Sequence, residues 1–308
     1  MPPRPSGRSS DPPPPDLAAL LPSWELHLRA ERKSPQTLKS YGNGVRRFLA
    51  WCTEEGRPAV LDRATLQAFT VALLDGGAEP ATVVSRHLAV RRFSAWLLAE
   101  GEQQTDALAG LRAPKLDSKV VDPLTDEQIK ALIKACAGPD MRDRRDEALV
   151  RFMLETGCRS GETVAIALAD VDLTAMTAIV QRGKGGRGRS VPFGPQTAKA
   201  LDRYIRLRRG HLRADSPALW LGDRGKGFTY DALHKTLTWR ARLAGIEDFR
   251  PHRLRHTAAH RWLAAGGSEG GLMSVAGWTR PDMLLRYTRA RAEARAAEEA
   301  RRLNLGDV

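Results

Sequence analysis

Apolar residues recur at helical spacing through the first third of the chain. Ser34-Pro35 suits an N-cap followed by a proline in the first helical turn. Apolar positions then follow at intervals of three and four residues, namely Leu38, Tyr41, Val45, Phe48, Leu49 and Cys52. A further helix is predicted over 64–74, ending at Gly76-Gly77, and a long one from about Pro80. With the segment that begins at Asp16, the pattern predicts four helices and a small helical domain over 16–110.

A second domain is predicted after a linker over 111–123, which is polar and basic, contains prolines and lacks periodicity. Thr125-Asp-Glu-Gln has the pattern of a capping box and marks the first helix of a domain over 124–308. The next helix carries Leu149, Phe152 and Met153, and Gly157 suits its C-terminal end.

Residues 176–193 break the helical pattern, because two short β-branched runs flank a glycine-rich turn. Helices return after Pro195, and a charged helix is predicted over 290–304. The fold class expected is therefore mainly α with a small β-sheet, a helical domain followed by an α+β domain. Residues 1–15 are proline-rich with few large apolar side chains, and we expect them to form a disordered tail.

The charge balance points to a polyanionic partner. The 308 residues include 49 Lys and Arg against 36 Asp and Glu, a formal net charge of +13. Nucleic acid is the first candidate and an anionic membrane surface the second. The sequence contains no apolar run of about 18 residues, and its N-terminal segment does not have the pattern expected of a secretory signal. The three cysteines are far apart and odd in number, which disfavours a disulfide framework and indicates a reducing cytoplasm.

Two segments of the second domain carry candidate chemistry. Arg159 follows the helix-ending glycine, and Glu162 lies three residues later, where it can hold the arginine by a charge-assisted bond. An ordinary surface ion pair is the alternative. Lys184 lies in the glycine-rich turn, which lacks the pattern of a phosphate-binding nucleotide loop. By itself, a solvated hairpin lysine is the favoured interpretation there.

Two later segments are Pro-His-Arg-Leu-Arg-His-Thr, over 251–257, and Gly-Trp followed by Arg-Tyr-Thr. A helix places His252, Arg255 and His256 near one face. A zinc site would need further ligands, a structural histidine is an alternative for His256, and a phosphate site explains His and Arg together. Nothing local distinguishes Tyr287 from a core tyrosine.

Taken in order, these segments resemble the tyrosine recombinase family, often called phage integrases. The resemblance covers about 125–287, and the helical first domain resembles that family's SAM-like core-binding domain. It implies a catalytic set of Arg159, Lys184, His252, Arg255, Trp278 and Tyr287, with Glu162 and His256 in support. Trp278 departs from many relatives, which have histidine there, and an indole N–H can donate a hydrogen bond but cannot carry a proton.

The resemblance implies a reaction that needs neither metal, cofactor nor ATP. Tyr287 would attack a DNA phosphodiester, giving a 3′-phosphotyrosine and a free 5′-hydroxyl, and the retained bond energy would allow rejoining. The partners implied are double-stranded DNA and three further copies of the chain, forming a homotetramer on paired sites from a free monomer or weak dimer. Little room precedes Asp16 for an arm-binding domain, so we expect an enzyme that needs only a core site.

We expect both domains to contact DNA. The protein is expected to be cytoplasmic and associated with the nucleoid through DNA. The basic residues selected as DNA contacts are Lys39, Arg86, Arg91, Arg187, Arg189 and Lys226. Three rival functions remain open at this point: a catalytically silent DNA-binding protein, a type IB topoisomerase, and a basic structural or RNA-binding protein.

Overall fold

A computed structural model of the chain describes residues 15–115, 122–181, 188–280, 284 and 301–302. The chain divides into two compact units, Met1–Lys119 and Val120–Val308. The described residues are mostly helical with one small sheet, which confirms the expected fold class. None of the described helices is both long enough and apolar enough to cross a lipid bilayer.

The first unit contains four described helices, as the periodicity predicts. They are α1 (Leu17–Ala30), α2 (Pro35–Glu54), α3 (Arg63–Asp75) and α4 (Pro80–Ala99). Ser34 caps α2 through its side chain, which accepts a hydrogen bond from the Thr37 N–H at 3.1 Å. Pro35 occupies the first turn, where its missing N–H costs nothing.

Helices α2 and α4 approach closely in the core of this unit. A Cβ atom added at Gly44 would lie 2.5 Å from the Cβ of Ala89, so only glycine allows this approach. Aromatic rings fill the remaining space: Trp24 contacts Phe93 at a centroid distance of 5.1 Å. Such rings bury large apolar areas and account for much of the stabilisation of a small helical domain.

In the sequence of the second unit, helices precede a short sheet and further helices follow it. Its helices are α5 (Asp126–Ala135), α6 (Met141–Thr156), α7 (Ser160–Val164), α8 (Pro195–Arg208), α9 (Tyr230–Leu243), α10 (His252–Ala264) and α11 (Glu269–Ala276). The capping box at the start of α5 is confirmed. The Gln128 N–H donates to Thr125 Oγ1 at 3.2 Å, and the Thr125 N–H donates to Gln128 Oε1 at 3.1 Å.

The sheet has three antiparallel strands, one more than the sequence pattern predicts. They are β1 (Val171–Asp172), β2 (Thr177–Val180) and β3 (Arg189–Pro192), in that order. β1 has only two residues, too few for alternation to be visible. β2 and β3 form the expected pair, with Val180 opposite Arg189. The glycine-rich turn lies largely outside the described residues, as does the predicted helix over 290–304 except for 301–302.

Helix α6 runs through the core of the second unit and packs against α8 and α10. Leu149, Phe152 and Met153 are completely buried. The helix ends as predicted at Gly157, whose φ of 61° is in the left-handed region that glycine adopts readily. This sharp end determines where the next residues, including Arg159, lie.

Candidate active site

Arg159 lies at the junction between α6 and α7, where it is the N-cap residue of α7. Glu162 binds it twice: Oε2 accepts from the Arg159 backbone N–H at 2.9 Å, and Oε1 accepts from Nη1 at 2.8 Å. The predicted charge-assisted bond is therefore present. The side chain of Arg159 is 30% exposed, so it is held by Glu162 and remains partly accessible to a ligand.

Arg255 lies near the start of α10 and is almost completely buried. Its Nη1 donates to the Gly157 carbonyl at 2.6 Å, and its Nη2 donates to the Ala276 carbonyl at 2.8 Å. Its Cζ lies 5.2 Å from the centroid of the Trp278 ring, a cation–π distance. One guanidinium thus joins the end of α6, the end of α11 and the indole of Trp278.

The carboxyl end of α11 is bound by arginines from three different elements. The Val275 carbonyl accepts from Arg189 Nε at 2.7 Å, and the Ala276 carbonyl accepts from Arg255. The Gly277 carbonyl accepts from Arg159 Nη2 at 3.4 Å. Four residues therefore form one connected group, which we call the Glu162 cluster: Arg159, Glu162, Arg189 and Arg255.

Arg189, which was selected from the sequence as a contact to DNA, is mostly buried. It is the first residue of β3, and its side chain is 12% exposed. Its Nη2 and Nη1 donate to the two carboxylate oxygens of Glu162 at 2.8 and 3.2 Å. The guanidinium therefore points into the protein, because its donors are directed at a carboxylate and a backbone carbonyl. This internal role was not predicted from the sequence.

The Glu162 cluster carries more positive than negative charge. Burial raises the pKa of the Glu162 carboxyl, but hydrogen bonds from Arg189 and Arg159 outweigh burial and place this pKa below its ordinary value. Glu162 is therefore ionised at neutral pH. Since Arg159 and Arg189 share this one carboxylate, the three groups together have a net charge of +1. Such an arrangement favours an anion beside the exposed part of Arg159.

The two histidines of the 251–257 segment lie on one face of α10, as their spacing predicts. The rings of His252 and His256 are 4.8 Å apart and nearly perpendicular. His252 is exposed and His256 is half-buried. Within the described ranges, no group of three His, Cys, Asp or Glu side chains has the arrangement of a metal site. The zinc alternative thus gains no support there.

The remaining selected residues are dispersed or outside the described part of the chain. Lys184, Arg187 and Tyr287 lie outside it. Lys39 adjoins Ser40 on α2 and Arg86 adjoins Ser85 on α4, and the hydroxyls of these two serines are 3.0 Å apart.

The other two basic residues selected as DNA contacts have different surroundings. Arg91, also on α4, is half-buried, whereas Lys226 is exposed. The Lys226 carbonyl accepts from the Gly222 N–H at 2.9 Å in a tight turn. Contact of Lys39, Arg86, Arg91 and Lys226 with DNA stays a prediction.

Comparisons with known proteins find matches to both units of the chain. Residues 123–294 match the model of the phage integrase family, and residues 21–101 match that of the phage integrase N-terminal SAM-like domain. The tyrosine recombinase XerD of Corynebacterium glutamicum is 30% identical over 294 residues, covering 89% of this chain and 94% of the relative. The tyrosine recombinase XerC of Pseudomonas aeruginosa is 30% identical over 268 residues, covering 85% and 86%.

Solved structures share the fold. The XerH site-specific recombinase bound to palindromic difH substrate has a TM-score of 0.71 at 17% identity, covering 92% of this chain and 84% of the other. The Tn1549 transposon integrase in complex with circular intermediate DNA has a TM-score of 0.70 at 18% identity, covering 90% and 98%. The family model matches more than half of the chain, and the XerD and XerC relatives align over most of it. The chain belongs to the phage integrase family.

Proposed function

We propose that this site-specific tyrosine recombinase cleaves DNA by attack of Tyr287 on a phosphodiester and rejoins the strand through a 3′-phosphotyrosine. The observation that carries the proposal is the convergence of Arg159 and Arg255 on the end of α11. They donate to the neighbouring carbonyls of Gly277 and Ala276, directly before Trp278. Two guanidinium groups from different helices thus meet beside the segment that leads to Tyr287.

The residue types suit the charge that develops on a phosphodiester. Negative charge grows on the nonbridging oxygens in the transition state, and guanidinium groups donate to phosphate oxygens in a fork. Arg159, which is partly exposed, donates to these oxygens, and the buried Arg255 contributes its positive charge and packs against the Trp278 indole. Glu162 orients Arg159 without touching the substrate, because its carboxylate accepts from the backbone N–H and Nη1 of that arginine.

Proton transfer falls to other members of the set. A tyrosine phenol has an ordinary pKa of about 10, so it needs a base or a strongly positive site to become a nucleophile. His252, exposed on α10, supplies the base or the charge. The departing 5′-oxygen needs a proton, which we assign to Lys184. No step needs ATP, because the phosphotyrosine retains the energy of the broken bond.

The proposed substrate is double-stranded DNA, bound by a tetramer on paired sites. The net charge of +13 suits a polyanion. Among proteins of the same fold, the lambda integrase has been solved as a tetramer bound to a Holliday junction. Lys39, Arg86, Arg91, Arg187 and Lys226 are the proposed contacts. The three cysteines are unpaired and buried, which fits action in the reducing cytoplasm.

Covalent capture from a pool of DNA sequences tests the proposal and needs no single chosen target. The full chain is incubated with duplexes that have a randomised centre and a nick near it, which traps the cleaved state. A denaturing gel then separates protein–DNA adducts, and the captured sequences are recovered. We expect adducts with the wild type and none with Tyr287→Phe.

Two outcomes would contradict the proposal. An adduct that persists in Tyr287→Phe would mean that another residue is the nucleophile. Selective DNA binding with no adduct from any member of the pool would favour a catalytically silent DNA-binding protein.

A further inference from the structure

Arg189 binds two parts of the active site and does not face outward. One side of its guanidinium forks onto both carboxylate oxygens of Glu162, and its Nε donates to the Val275 carbonyl at 2.7 Å. Arg189 begins β3, five residues after Lys184 in the sequence. Its position therefore links the strand that follows the lysine turn, the carboxylate that holds Arg159, and the end of α11.

Glu162 accepts hydrogen bonds from both Arg189 and Arg159 through the same two oxygen atoms. Oε1 accepts from Arg159 Nη1 at 2.8 Å and from Arg189 Nη1 at 3.2 Å. Oε2 accepts from the Arg159 N–H at 2.9 Å and from Arg189 Nη2 at 2.8 Å. Because the carboxylate is fixed from both sides, its direction toward Arg159 depends on Arg189.

The end of α11 depends on Arg189 in a second way. Gly277 has a φ of 63°, and a Cβ atom there would lie 2.8 Å from Arg189 Nη1 and 2.9 Å from Cζ. The glycine backbone therefore lies directly against the guanidinium. Trp278 is the next residue, so a shift of the guanidinium changes where the segment toward Tyr287 begins.

We propose that Arg189 is a positioning residue for DNA cleavage, which aims Arg159 through Glu162 and fixes the end of α11 ahead of Trp278. This inference rests on the proposed function. It differs from two alternatives that the same residue type allows. A DNA contact would affect affinity, and a purely structural ion pair would affect only stability.

The charges around Glu162 give the proposal a pH signature. The titratable and charged groups that face it among the described residues are Arg159 on α7, Arg189 on β3 and the buried Cys158 thiol, with Arg255 on α10 beside that thiol. Burial raises the pKa of the Cys158 thiol, so this group stays neutral. In Arg189→Gln, burial of Glu162 is opposed by Arg159 and no longer by Arg189, so the pKa of Glu162 rises.

The test compares Arg189→Gln and Arg189→Lys with wild type in single-turnover cleavage of a nicked duplex recovered from the covalent capture. Rates are measured at saturating DNA from acid to neutral pH, together with DNA affinity and the melting temperature. Arg206→Gln is the matched control, because Arg206 forms an exposed pair with Asp202 on α8.

We expect Arg189→Gln to cleave about 10²-fold more slowly, the cost typical of a misplaced catalytic group. Its DNA affinity should change little, and the acid limb of its rate profile should move to higher pH. Arg189→Lys should recover part of the rate, since lysine keeps the charge but lacks the fork. Glu162→Gln should slow cleavage as well, and the double variant should be little slower than either single variant.

Four results would overturn the inference. If Arg189→Gln has the cleavage rate and the acid limb of the wild type, the pair of Arg189 with Glu162 is purely structural. Reduced affinity with an unchanged saturated rate would make Arg189 a DNA contact. If Arg189→Gln does not fold, an Arg189→Lys variant with wild-type rate and acid limb would have the same consequence. Absence of any wild-type adduct would instead refute the proposed function, and the inference with it.

Discussion

Two arginine–carboxylate clusters among the described residues of the second unit differ in their charge balance. One is the Glu162 cluster. The other, which we call the Asp146 cluster, joins the start of α6, the end of α9 and the turn after Leu221. Its members are Arg142, Asp143, Arg145, Asp146, Asp223 and Arg240. Three guanidinium groups meet three carboxylates there, whereas Arg159 and Arg189 share the single carboxylate of Glu162.

The centre of the Asp146 cluster is buried, although its outer pair of Arg142 and Asp223 is exposed. The Asp146 side chain is completely buried and accepts from Arg145 at 2.8 Å and from Arg240 at 2.8 Å. Arg159, by contrast, is partly exposed. A buried charge is tolerated only when it is paired and hydrogen-bonded, so a balanced cluster can lie deep in the protein. A cluster with surplus positive charge keeps one face accessible, and an anionic substrate can complete it.

Unbalancing the Asp146 cluster should have the greatest consequence. Asp146→Asn keeps the shape of the side chain but leaves Arg145 and Arg240 without their shared charge. We expect a loss of about 3–5 kcal/mol in the free energy of unfolding, measured by urea titration. Arg142→Gln is the control, because the Arg142–Asp223 pair is exposed and should contribute less than about 1 kcal/mol. A loss of similar size in both variants would contradict the expected difference between the buried Asp146 and the exposed Arg142–Asp223 pair.

The next effect concerns the Glu162 cluster and is kinetic. Arg159→Lys removes the planar fork from a partly exposed position. We expect the single-turnover cleavage rate to fall by about 10²–10³-fold. The free energy of unfolding should change by less than about 1 kcal/mol. If the loss of cleavage activity only matches the fraction of the variant that is unfolded, Arg159 stabilises the fold and does not act in cleavage.

The weakest effect is the pH dependence of stability that Glu162 introduces. Its pKa in the folded protein lies below the ordinary value of 4.5 because the bonds from Arg189 and Arg159 outweigh burial. The stabilisation from its ionised form is therefore fully present above pH 4.5 and is lost as the pH falls below it. The stability gap between wild type and Glu162→Gln, followed by denaturant titration, should narrow with acidification. Glu54→Gln, at an exposed pair on α2, is the control.

Local signals in the sequence predicted the helices well. Ser34, Thr125 and Gly157 mark two starts and one end, and each has the predicted role. A cap depends on a side chain and backbone groups within about four residues, so neighbouring sequence is sufficient to identify it. β1 was missed because a two-residue strand has no period.

The internal position of Arg189 could have been partly predicted. Alternate residues of a strand face the same side, and Val191, two residues later, is completely buried. The alternation therefore places Arg189 on the inner face of β3. It does not identify the partner, because Glu162 lies 27 positions earlier and Val275 lies 86 positions later.

The order of the helices, the ends of several of them and the series of residues that identifies the family all follow from the amino-acid sequence alone. Those features depend on short-range backbone preferences and on residue types. Which arginine shares which carboxylate depends instead on tertiary packing. Asp146 and Arg240 are 94 positions apart, and their pairing requires α6 and α9 to pack. The same packing places Asp146 between two buried arginines and makes Arg159 and Arg189 share the one carboxylate of Glu162.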